Sequence, residues 1–129
     1  VTLYPHVEDF LNAAATKLPL GILTNGNADV KKIGIDKFFK CHFTSLDVKS
    51  NKPSSKHFKK AVEFFNVLPE EILHVGDDKI ADISGCIRAG LNPLWFNNKS
   101  NEWDLDLEEP PQISSWENAL EYIEQNYEF

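Results

Sequence analysis

The chain has 129 residues, 42% of them hydrophobic and 26% charged, which is the size and balance of one folded domain and not of a disordered chain. No apolar run approaches the about 20 residues that a membrane helix needs, and a formal net charge of −7 argues against a general nucleic-acid binder, which relies on excess Lys and Arg. Any phosphate bound here must meet a local cation.

Val1-Thr2-Leu3-Tyr4-Pro5 opens the chain without an initiator methionine or the pattern of a signal peptide, so a segment upstream is expected. Val7, Phe10, Leu11 and Ala14 recur at helical spacing and stop before Pro19. The apolar run Leu20-Gly21-Ile22-Leu23-Thr24 reads as a buried strand closed by a loop at Asn25-Gly26-Asn27. Ala28 to Phe39 reads as one or two short helical segments broken at Gly34, and Cys41-His42-Phe43-Thr44 as a second strand. Between Ser54 and Asn66, Phe58, Ala61, Val62 and Phe65 form a helical stripe, with Ser54 or Ser55 available as N-cap.

A third strand, Ile72-Leu73-His74-Val75, runs straight into Gly76-Asp77-Asp78. Ile80, Ile83 and Ile87 then mark a helix stopped by Gly90, and Pro93-Leu94-Trp95-Phe96 is a fourth strand. Residues 97–112 are acidic, contain Pro110-Pro111 and read as a surface loop. Trp116, Ala119, Leu120 and Ile123 predict a last helix capped by Ser114 or Ser115. Alternating strands and helices predict one α/β domain over residues 1–129, an open parallel sheet covered by helices on both faces. Ligands of such sheets bind at the carboxyl ends of the strands, where Thr24, the segment after Thr44 and Asp77 all fall.

Asp77, Asp78 and Asp82 crowd three carboxylates around the end of a buried strand, and a hard divalent cation, magnesium foremost, relieves the mutual repulsion. Equally, Asp77 or Asp78 can cap the following helix and Asp82 can favour its positive end. Asp77 follows Gly76, which admits close approach of a ligand, and is the stronger metal candidate. Thr24 with Asn25 and Gly26 can turn a hydroxyl and successive N–H groups on one phosphate, or form a plain turn. Lys52, held extended by Pro53, can serve as a point charge on that phosphate, or be solvated as Lys49, Lys56, Lys59 and Lys60 are expected to be. His6, His42, His57 and His74 lack metal-ligand spacing and read as core or surface residues. Cys41 and Cys86 lie in apolar surroundings with neither pairing nor metal spacing, which fits reduced thiols in the cytoplasm. No serine has a nucleophile-elbow context.

Gly21-Ile22-Leu23-Thr24-Asn25-Gly26, Lys52-Pro53, and Val75-Gly76-Asp77-Asp78 with Asp82 and Gly85 resemble, in order and spacing, motifs II, III and IV of the haloacid-dehalogenase-like hydrolases. The stretch from Glu71 through Gly90 is most similar to the bacterial subfamily I phosphatases that act on flavin mononucleotide and related ribityl phosphates. The resemblance implies a Rossmann-like three-layer core and a magnesium-dependent phosphatase working on a small phosphorylated metabolite through an aspartyl-phosphate. It implies phosphate binding by Thr24, Asn25, Gly26 and Lys52, with Thr24 and Lys52 catalytic. It also implies Asp77 on magnesium, with Asp78 and Asp82 holding the metal's waters or orienting its ligands. The family's first motif, an Asp-x-Asp after an N-terminal strand, has no counterpart here, nor has the small helical cap that follows it. The missing nucleophile is therefore expected in a segment that begins roughly a hundred residues earlier. The competing expectation is a non-catalytic binding or scaffolding domain on the same fold.

Overall fold

The computed structural model describes residues 4–26 and 34–128. Val1 to Leu3, Asn27 of the expected turn and residues 28–33 of the expected helical segments lie outside the described residues.

The strands form where apolar runs meet turn residues: β1 (Gly21–Leu23), β2 (Cys41–Phe43), β3 (Leu73–Gly76), β4 (Asn92–Phe96) and β5 (Gln112–Ile113). All pairings are parallel, but they fall into two sheets. In one, β1 lies beside β2 with Gly21 opposite Cys41 and Leu23 opposite Phe43. In the other the order is β3-β4-β5, with Gly76 opposite Trp95 and Phe96 opposite Ile113. The strand β5 lies in what the sequence presents as the end of a surface loop. Two residues carry no legible period of their own, and their pairing depends on β4 already being in place. Thr44, expected at the end of β2, instead caps α2 (Ser45–Val48), its hydroxyl accepting from Asp47 N while the Asp47 carboxylate accepts from Thr44 N.

The helices cover both faces. On one, α1 (Val7–Ala15) and α5 (Ala119–Asn126) pack together, and Ala119 and Ile123 meet Leu94, Phe96 and Ile113 in a core that includes Phe10, Leu73 and Val75. On the other, α3 (Lys56–Phe65) crosses β1 and β2 and touches α4 (Gly85–Ala89), and Phe58, Cys86 and Leu91 close over Leu23 and Ile72. The side-chain alternation of β3 sends Leu73 and Val75 to the first face and His74 to the second, where its ring stands edge-on to Phe58 with centroids 5.0 Å apart. The three-layer α/β/α expectation is borne out.

Three helix details differ from the sequence pattern. Ser55 is the N-cap of α3 but makes no side-chain cap, and α5 begins after Asn118 with neither Ser114 nor Ser115 capping it. The Ile80, Ile83, Ile87 stripe is interrupted because Lys79–Ser84 is a π-helical turn, which leaves Ile80 on the surface while Ile83 is buried. Gly90, at φ 87°, ends α4 in the left-handed conformation as expected.

Phe58 is fully enclosed between α3, α4 and the strands. Phe58→Ala should lower unfolding stability by about 3–5 kcal/mol, read as an earlier midpoint in urea at unchanged slope.

Candidate active site

At the end of β3 the chain must turn sharply into the π-helical segment. Asp78 starts that turn, its Oδ1 accepting from Ile80 N at 2.9 Å and Ala81 N at 2.8 Å. The Asp78 carbonyl then accepts from both Asp82 N at 3.0 Å and Ile83 N at 3.1 Å, so the turn is wider than an α-helical one. This swings the Asp82 carboxylate back over Gly76, where any Cβ would collide with it; only glycine fits. Asp82 Oδ2 accepts from Asp78 N at 3.1 Å, and Oδ1 accepts from the Lys52 ammonium and from His74 Nε2 at 3.3 Å.

Both charges are nearly sealed from water, with Lys52 8% and Asp82 7% exposed. Burial alone would raise the Asp82 carboxyl, but the hydrogen bond from His74 and the adjacent Lys52 cation more than offset it and hold Asp82 far below the usual carboxylate range. These partners favour the ionised form of Asp82. The same charge, added to burial, pushes the Cys86 thiol up to about 12. Cys86 and Cys41 are both free thiols.

Lys52 also donates from Nζ to the Leu23 carbonyl at 3.1 Å, so one ammonium ties the carboxyl end of β1 to the carboxylate lying on the carboxyl end of β3. Asn25 grips the same residue by its backbone, with Lys52 N donating to Oδ1 at 2.6 Å and Nδ2 donating to the Lys52 carbonyl at 3.1 Å. Between them sits Thr24, whose amide extends the β1-β2 ladder by donating to the Phe43 carbonyl at 3.0 Å. Its hydroxyl donates to the Gly26 carbonyl at 3.0 Å, and since that uses the one hydroxyl proton, His42 Nε2 donates to Oγ1 at 3.2 Å. The Thr24 carbonyl accepts from His57 Nε2 at 2.7 Å, which places the His57 proton on Nε2. His57 is fully buried, and its Nδ1 has no partner among the described residues. Burial foremost, helped by the nearby Lys52 cation, lowers its pKa and keeps it neutral. Beside this loop an open groove of about 550 Å3 is lined by Asn25, Gly26, Ser45, Leu46, Lys49, Ser50 and Asn51.

The structure thus places Thr24 and Lys52 side by side and joins Lys52 through Asp82 to the segment carrying Asp77. Asp77 is exposed; its carbonyl accepts from Trp95 Nε1 at 3.1 Å, and its carboxylate makes no hydrogen bond or ion pair among the described residues. The three crowded carboxylates do not gather on one point. Asp78 caps the turn, Asp82 neutralises Lys52, and Asp77 is exposed with its carboxylate unengaged among the described residues, where no cluster of three potential metal ligands forms. Of the expected phosphate binders, Asn25 uses both ends of its amide on Lys52. The histidines read as core or surface residues include three that build the site. For His74 a signal existed, since strand alternation puts it on the same face as Gly76; for His42 and His57 the partners are remote in sequence.

The family model for haloacid dehalogenase-like hydrolase matches residues 1–96. A 5-amino-6-(5-phospho-D-ribitylamino)uracil phosphatase of Escherichia coli, YigB, is 36% identical over 104 residues, covering 78% of this chain and 44% of that protein. Among solved structures, a 2-haloacid dehalogenase from Pseudomonas syringae superposes with TM-score 0.92 at 31% identity, covering 97% of this chain and 54% of that one. The HAD-hydrolase YfnB of Bacillus subtilis, solved bound to magnesium, gives TM-score 0.85 at 26% identity over 92% of this chain and 55% of that one. The chain spans about half the length of each of these three relatives.

Removing one partner of the buried ion pair strands the other. Lys52→Met should cost about 3–5 kcal/mol, whereas Lys52→Met combined with Asp82→Leu should recover most of it, measured by equilibrium urea unfolding. The His57 shift gives a second expectation. Its folded pKa is depressed, so the unfolded chain takes up a proton that the folded chain refuses. Stability is then whole above about 6.5 and declines as pH falls from there through the folded value; His57→Leu should flatten that slope in melts across pH 5–7.5.

Proposed function

Because the chain belongs to the haloacid dehalogenase-like hydrolase family, we propose that it is the phosphate-holding part of a magnesium-dependent phosphomonoester hydrolase core. The observation that carries this is the Lys52 ammonium, fixed by Asp82 and the Leu23 carbonyl at the strand ends beside Thr24. A cation so placed neutralises an incoming phosphate dianion, while the Thr24 hydroxyl exchanges its contact with Gly26 O for a phosphoryl oxygen and the Asn25-Gly26 backbone follows it. The phosphatase relative YigB and the acidic pair after Gly76 support phosphate esters as the substrate class over halides.

Asp77 fits magnesium by its chemistry, as a hard carboxylate oxygen at a strand end with no competing partner among the described residues. Bound there, magnesium would supply positive charge against the phosphoryl oxygens, and the magnesium-bound relative YfnB supports that assignment. One carboxylate leaves most of the octahedron to water, so affinity is weak. Asp78 and Asp82 act from behind, Asp78 by shaping the turn that carries Asp77 and Asp82 by holding Lys52.

The nucleophilic aspartate belongs to a strand preceding this chain in the full protein. That strand fits between β1 and β3, each bonded among the described residues to a sheet partner on one side only. Its carboxylate attacks phosphorus as the bond to the ester oxygen breaks, and the second carboxylate of the same Asp-x-Asp motif gives its proton to that oxygen, so that the alcohol leaves and the aspartyl-phosphate forms. Water then attacks that phosphorus, releasing phosphate and restoring the carboxylate. The free thiols of Cys41 and Cys86 suit a reducing cytoplasm, and among the described residues no helix is long and apolar enough to cross a membrane.

The full reading frame should hydrolyse members of a panel of small phosphate monoesters when magnesium is present. Lys52→Ala should lower kcat/KM by about 100-fold or more, and Asp77→Asn should raise the magnesium concentration needed for half-maximal rate. Residues 1–129 alone should be inactive. Equal activity of that fragment would overturn the assignment of roles, and an inactive full-length protein would favour a scaffolding domain.

A further inference from the structure

We infer that the Asn25 side chain positions Lys52 and is not itself a phosphate ligand, an inference that rests on Lys52 being the cation of the proposed site. The geometry is that of a strand partner imitated by one side chain. A planar carboxamide offers one acceptor and one donor side by side, and here both are spent on a single residue, Oδ1 on Lys52 N at 2.6 Å and Nδ2 on the Lys52 carbonyl at 3.1 Å. These bonds hold the two peptide units on either side of the Lys52 Cα, which is the point from which the side chain departs. The other end of that side chain is held independently by Leu23 and Asp82.

Asn25 is itself anchored. Its carbonyl accepts from Ser45 Oγ at 2.6 Å, tying it to the start of α2, and it follows Thr24 directly in the chain. The residue therefore sets the relative position of the two expected phosphate contacts, Thr24 through the backbone and Lys52 through its amide. Among the described residues no other side chain does both. Aspartate lacks the donor and would set a carboxylate oxygen against the Lys52 carbonyl, glutamine is one methylene too long, and alanine makes neither bond.

Two independent readouts test this on the full-length protein. The first is a double-mutant cycle on kcat/KM with p-nitrophenyl phosphate and magnesium. Asn25→Ala should lower kcat/KM by about 100-fold, as misplacement of a catalytic group does, but should add less than about twofold on top of Lys52→Ala. Losses that multiply would show Asn25 acting on phosphate by itself and overturn the inference. The second needs no turnover. In limited acetylation read by peptide mass spectrometry, Lys52 should be protected in the wild-type protein and labelled at least several-fold faster in Asn25→Ala, with exposed Lys49 labelled equally in both. Unchanged Lys52 labelling would overturn it. Asn25→Gln, which keeps the polarity and loses the register, should give the same labelling and replaces Asn25→Ala in both assays if that variant does not fold. An inactive wild-type protein would refute the phosphatase assignment alone, since the labelling would still decide whether Asn25 holds Lys52.

Discussion

The ion pair between Lys52 and Asp82 is the constraint from which the rest of the site follows. Burying two charges is favourable only when both are matched in geometry and in hydrogen bonds, and here the carboxylate takes Lys52, His74 and the Asp78 amide while the ammonium takes Asp82 and the Leu23 carbonyl. Each of those contacts fixes something else. Reaching Lys52 requires Asp82 to lie over Gly76, which excludes a side chain there, and the wide turn after Asp78 is what carries Asp82 into that position. Among the described residues β1 and β3 share no backbone hydrogen bonds, so this pair, with the packing of Phe58, Cys86 and Leu91, is what relates the two sheets to each other at the candidate site.

Much of this was legible in the sequence because it depends on local pattern. Apolar runs closed by turn residues gave the places of β1 to β4, and helical spacing placed α1 and α3 to within a residue or two. Thr24, Lys52 and Asp77 were legible as strand-end or helix-entrance residues. What was not legible depends on partners distant along the chain. The two residues of β5 are a strand only because β4 lies beside them. Asp82 is indistinguishable by spacing from a helix-end charge or a metal carboxylate until Lys52, thirty positions earlier, is seen against it. His57 reads as a core or surface residue, and by burial it is a core one, yet its Nε2 proton holds the Thr24 carbonyl.

The split of the parallel strands into two sheets has a physical reading of its own. Unpaired backbone groups along a strand edge cost about 1–3 kcal/mol each when buried, so edges of apolar strands are normally paired, covered or charged. Among the described residues β1 and β3 each carry an unshared edge, and a cation and a carboxylate bridge their carboxyl ends. A further parallel strand would satisfy both edges at once and bring its own carboxyl end to the Lys52 ammonium. The nucleophile required by the proposed chemistry and the pairing required by the backbone thus call for the same element in the same place.

The arrangement also bears on how a flexible side chain can serve as a catalytic cation. A solvated lysine has about 2 kcal/mol of rotamer entropy to lose on binding an anion and a hydration shell to shed. Lys52 has already given up both on folding: Asn25 fixes its backbone, and Leu23 and Asp82 fix its head. Asp82 raises the electrostatic cost of using that cation on phosphate, because it already neutralises part of the charge, but it pairs and orients the cation in a nearly dry site. In the proposed reaction the gain would be that no reorganisation is needed when negative charge moves during phosphoryl transfer, which is the condition under which electrostatic stabilisation is most effective. Stability and reactivity are drawn from one interaction, and this is why the residues that shape it, Gly76, Asn25, His57 and His74, are as much a part of the site as those that would touch the substrate.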